Sequence, residues 1–122
     1  MTRLNLEDEK VFAFRWKGKF DEESFRKSLE EFIPEFLKRD RMNIYVEMQS
    51  IDGAEATAIW KDLKFAFNNY EQLLNKIDKV ALVTDKGWMR ILSDISSAFI
   101  QGVKEKSFSL DEADIAKEWV KR

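Results

Sequence analysis

The chain has 122 residues, of which 44% are apolar and 36% charged, with a formal net charge of −2. That length suits a single domain burying about two-thirds of its unfolded surface, and the near-balanced charge gives no bulk attraction to nucleic acid or an anionic membrane. Cysteine and histidine are both absent, which removes disulfides, thiolate nucleophiles, Ser-His-Asp triads, imidazole bases and the usual zinc ligands. No stretch of about 18 apolar residues suggests a membrane span. The start, MTRLNLEDEK, lacks an apolar signal core. A cytoplasmic protein with no nucleic-acid partner and no integral membrane segment is expected.

Arg3 to Leu6 and Val11 to Lys17 read as two short strands joined by a turn at residues 7–10. In the second, Phe12, Phe14 and Trp16 alternate with Val11, Ala13 and Arg15, so one face carries three aromatics and suits packing beneath helices. Gly18 breaks this strand. Asp21 is the N-cap of a first helix, with Phe20 and Phe25 at the positions of a hydrophobic staple. Phe25, Leu29, Phe32, Ile33, Phe36 and Leu37 form its apolar stripe. Pro34 falls inside the stripe and predicts a kink or a break. The mixed run Lys38-Arg39-Asp40-Arg41 reads as a solvated loop.

MNIYVEM, Met42 to Met48, is a third strand. Its alternation puts Tyr45 and Glu47 on one face and Ile44 and Val46 on the other. Glu47 could be buried with a raised pKa, or paired with a Lys or Arg at the sheet edge. A second helix is expected from about Ala54 to Asn68, with Ile59, Trp60, Leu63 and Phe67 on one side. The run Val80 to Val83 has the length and β-branching of a strand buried on both faces. Asp85 caps a third helix that runs to about Ile100 with Trp88, Ile91, Leu92, Ile95 and Phe99 at helical spacing. Val103 to Phe108 is a last strand whose Lys104, Glu105 and Lys106 mark a protected edge. Ser109 and Glu112 form a capping box for a final helix bearing Ala113, Ala116, Trp119 and Val120. The predicted fold is α/β: one mixed sheet of about five strands in the order β-β-α-β-α-β-α-β-α, with helices covering it.

Four groups of residues carry a resemblance: Gly18-Lys19-Phe20-Asp21, the helical AIWKDLK from Ala58 to Lys64, KVALVTD from Lys79 to Asp85 leading to Trp88, and Phe108 with Glu112-Ala113 and Trp119-Val120. In this order and spacing the chain resembles the SpoIIAA-like family, small domains related in fold to STAS anti-sigma-factor antagonists and in part to lipid-binding α/β domains. The resemblance implies a SpoIIAA/STAS-like sheet and a regulatory or binding role. STAS antagonists carry a phosphorylatable serine in a D-S-S-G stretch after the third strand. The matching region here is Ile51-Asp52-Gly53-Ala54-Glu55-Ala56-Thr57, with Ala and Gly where the serines would be and Ser50 and Thr57 the nearest hydroxyls, so the phosphoswitch is expected to be absent.

The candidate ligand or partner surface comprises Trp60, Phe65, Trp88, Asp52 and Asp85. The aspartates lie at C-terminal strand ends, where open α/β sheets bind ligands; as plain structure, they are helix caps and the tryptophans core. Phe32, Phe36, Phe65, Phe67 and Trp60 supply more aromatic helix surface than a small core needs. The surplus suggests a groove for a lipid or other apolar molecule, a protein partner, or a homodimer contact. The leading expectation is a non-enzymatic binding domain with no cofactor. The competing one is an enzyme working through Glu47, Asp52 and Asp85 with magnesium.

Overall fold

The computed structural model describes residues 2–17, 22–49, 76–84 and 104–122. They form one five-stranded sheet, β1 (Thr2–Leu4), β2 (Val11–Lys17), β3 (Met42–Gln49), β4 (Ile77–Thr84) and β5 (Lys104–Ser109), ordered β1-β2-β3-β4-β5. β1 is antiparallel to β2, and the other three pairings are parallel. Helix α1 (Glu22–Leu37) follows β2, and a short 3-10 turn (Leu110–Glu112) leads from β5 into α2 (Ala113–Lys121). The mixed α/β architecture is the one predicted. The predicted second and third helices lie outside the described residues.

Alternation along the strands assigns a face to each layer. On one face Phe12 and Phe14 meet α1. The Phe32 ring stands edge-on to both, at centroid distances of 4.3 and 4.8 Å, and Phe36 stacks on Phe12 at 5.5 Å. Phe36 is only 1% exposed, so the expectation that it belongs to a surplus aromatic groove is corrected: it is core. On the other face Val11, Ala13, Tyr45, Ala81, Val83 and Phe108 form an apolar cluster closed by Ala116 and Val120 of α2, with Leu6 beside them. Val80 to Thr84 are all buried, as a central parallel strand covered on both sides must be.

Three local features differ from expectation. β1 ends at Leu4, not Leu6. Asn5 Oδ1 accepts the Glu7 N–H at 2.9 Å, and Glu7 adopts φ 60°. This side-chain turn competes with the strand ladder, yet Leu6 still reaches the α2-side core. Second, α1 runs through Pro34 without a break, one of the two expected outcomes, the other being a kink. The missing N–H leaves the Glu30 carbonyl without its helical donor, but both residues are exposed, so water can serve it. Third, the Ser109–Glu112 box opens a 3-10 turn rather than α2 directly. The Glu112 carboxylate accepts from the Ser109 N–H at 3.1 Å and from its hydroxyl at 2.8 Å.

The sheet holds the far end of α2. Asn43 Nδ2 donates to the Val120 carbonyl at 2.6 Å, and Lys79 Nζ to the Arg122 carbonyl at 3.0 Å. A cation and an amide at a helix C-terminus satisfy orphan carbonyls and suit the helix dipole.

Candidate functional site

On the α2 face an apolar middle row gives way to charge toward the C-terminal ends of β2 and β3. Parallel register sets Ala13, Tyr45 and Ala81 in one row, and Arg15, Glu47 and Val83 in the next. The two alanines leave room for the Tyr45 ring between them, and Tyr45 is 0% exposed. One step on, the same face turns polar. Glu47 is 3% exposed, while the Arg15 side chain across from it is 39% exposed.

Glu47 accepts from three donors. Its Oε1 takes the Tyr45 hydroxyl at 2.7 Å, and its Oε2 takes Arg15 Nε at 2.5 Å and Gln49 Nε2 at 2.7 Å. Burial alone would push the Glu47 carboxyl up, but the bonds from Tyr45, Arg15 and Gln49 together outweigh it and hold the carboxyl below its ordinary value. Burial first, then the bond to Glu47, push the Tyr45 phenol up. Near neutral pH Glu47 is therefore ionised and Tyr45 protonated. Of the two readings of Glu47, the raised pKa is overturned and the pairing with a cation holds. Its expected Lys or Arg partner is present, but on β2, an interior strand, and not at the sheet edge. Arg15 was legible as the one charged residue on the inward-alternating series Val11, Ala13, Arg15; what hid it was the unknown register between β2 and β3.

This arrangement fixes the Arg15 side chain. A guanidinium bound through Nε to a buried carboxylate is fixed in orientation while its exposed remainder faces solvent. The carboxylate is poorly placed to take a proton or a metal, since both oxygens are engaged. Among the described residues, no three acidic side chains gather as a metal site. Asp52, Trp60, Phe65, Asp85 and Trp88 all lie outside the described residues, as do Ser50 and Thr57. In sequence, Asp85 follows Thr84, the last residue of β4, and Asp52 comes three residues after Gln49, the last of β3.

A recess lies on the α1 side, lined by Arg3, Phe14, Ser28, Glu31, Phe32 and Glu35. Arg3 grips Glu35 through two bonds of 2.7 and 2.8 Å and lies 4.9 Å from the Phe12 ring centre. The bond from Arg3 holds the Glu35 carboxyl below its ordinary value. Both partners are substantially exposed, so the pair closes the sheet margin without adding much stability.

A mixed sheet with helices on both faces and a polar cluster at the C-terminal strand ends defines a small α/β domain. The SpoIIAA-like family model matches residues 11–121, from the first residue of β2 to the last of α2. The chain belongs to the SpoIIAA-like family, and the match takes in Arg15, Tyr45, Glu47 and Gln49. No curated protein and no solved structure matches it. Family membership suggests a STAS-type regulatory or interaction domain.

Proposed function

We propose that this chain is a non-enzymatic interaction domain whose binding end is the C-terminal end of the parallel strands, around Arg15, Glu47 and Gln49. The observation that carries this reading is the saturation of Glu47. A general base needs a free lone pair and a pKa near the working pH, whereas this carboxylate is buried, ionised and bonded by three donors. Such a group orients its neighbours. The half-exposed Arg15 is the part a partner would meet, and bidentate recognition of a carboxylate or phosphate suits it. Asp52 and Asp85, which follow β3 and β4 in sequence, are assigned to the same end, with Trp60, Phe65 and Trp88 as apolar contributors. A lipid or a second copy would be the occupant if those aromatics dominate.

Native mass spectrometry of the full chain, purified without denaturation, tests this. The expected result is a stoichiometric adduct or complex that Arg15→Lys weakens, because lysine keeps a charge beside Glu47 but loses the fork. A co-purified apolar molecule would assign the occupant to the lipid class, and a doubled mass to a second copy. A bare monomer for both proteins would contradict the reading.

A further inference from the structure

Among the described residues β5 is the outer strand of the sheet, and alternate residues of an edge strand direct N–H and C=O groups outward. Register sets Lys104 beside Lys79 and Lys106 beside Ala81, so all three lysines lie on the α2 face. Like charges side by side in a sheet are unfavourable. Lys79 escapes by turning its ammonium to the Trp119 and Arg122 carbonyls at 3.4 and 3.0 Å. Lys106 lies against the Phe108 ring, 5.3 Å from its centre. Lys104 and Lys106 are both exposed, and among the described residues no carboxylate forms an ion pair with either. Among the described residues, two like charges, two residues apart on one face of this edge strand, therefore stand without a carboxylate partner.

We propose that β5 is a docking edge for an extended acidic peptide segment, added to the sheet as a sixth strand with two carboxylates, two residues apart, facing Lys104 and Lys106. The backbone ladder supplies affinity and the alternate side chains supply selectivity. Glu105, between the two lysines, alternates to the opposite face. The same pattern disfavours a second copy. In the antiparallel register centred on Glu105, Lys104 of one copy meets Lys106 of the other and Glu105 meets Glu105. A lysine edge that repels itself and attracts an acidic strand is selective by both terms. This surface is independent of the end around Arg15 and Glu47, and either can fail without the other.

A fluorescein-labelled peptide of alternating threonine and glutamate, titrated with the full chain and followed by anisotropy, tests the proposal. The expected result is saturable binding that falls at least tenfold with Lys104→Glu/Lys106→Glu, while that variant gains affinity for the threonine–lysine counterpart. Unchanged far-UV circular dichroism of the variant keeps the comparison valid, and Lys104→Gln/Lys106→Gln, with an intermediate loss, replaces it if the double reversal fails to fold. The same peptide N-methylated on alternate residues should lose binding; if it binds equally well, attraction is only electrostatic and strand addition is overturned. Equal binding by wild type and charge-reversed protein, or none at millimolar peptide, also overturns it. So does a wild-type dimer in sedimentation that Lys104→Glu dissociates, because the edge would then belong to a second copy.

Discussion

Glu47 is a charge placed where charge is expensive, and its three donors are the reason it is tolerated. Removing one partner of a buried pair leaves the other uncompensated. Arg15→Ala should destabilise the protein by about 1–3 kcal/mol, less than a fully buried pair would lose, because the guanidinium is part-solvated and Tyr45 and Gln49 remain. Urea unfolding with an unchanged m-value checks this. The pH dependence follows from the direction of the shift. The folded carboxyl binds its proton less readily than the unfolded one, so on acidification the unfolded state takes up the proton first and stability falls. The stabilisation is complete above the unfolded value of about 4.3 and is lost as pH falls through the lower folded value. Glu47→Gln should flatten the acid limb of the stability curve below about pH 4.3. An unchanged limb would place the acid sensitivity in other carboxylates.

At the scale of elements, the period of the apolar residues was enough to place β2, β3, β4 and the α1 stripe. Phe12, Phe32 and Phe36 then show why the stripe exists: they form one ring cluster between strand and helix. Phe36→Ala should cost about 3–5 kcal/mol, read as a lower denaturation midpoint; a loss under about 1 kcal/mol would mean that the cluster closes over the gap. Elsewhere, local polar chemistry overrode the apolar pattern. Leu6 looked like strand because it is apolar and inward-facing. Asn5 and the positive φ of Glu7 ended the strand two residues earlier, and the cluster on the α2 side took the side chain anyway. Pro34 predicted a kink or a break because the cost of proline in a helix is set by the carbonyl it orphans, and burial of that carbonyl is not written in the local sequence. The Ser109–Glu112 spacing was a dependable sign because both groups lie within one turn. Glu112→Ala should remove about 0.5–2 kcal/mol, measurable by thermal unfolding.

At the scale of the molecule, the candidate site depends on register. Glu47 was visible as a charge within an apolar strand, but nothing local says that Arg15 stands opposite it, 32 residues away. Only the pairing of β2 with β3 brings them together, and a one-residue slip would move one partner to the other face. The same pairing decides the proton chemistry. An isolated buried carboxylate would have a raised pKa, whereas this one, supplied with a cation, a phenol and an amide, has a lowered one. The account of an ionised, orienting Glu47 at the C-terminal end of the parallel strands is tested most directly by NMR titration of its side-chain carboxyl carbon in the folded protein. The predicted midpoint lies below the ordinary glutamate value of about 4.3. A midpoint above that value would show a carboxyl free to exchange its proton near working pH, and would contradict both the ion pair and the non-enzymatic reading built on it.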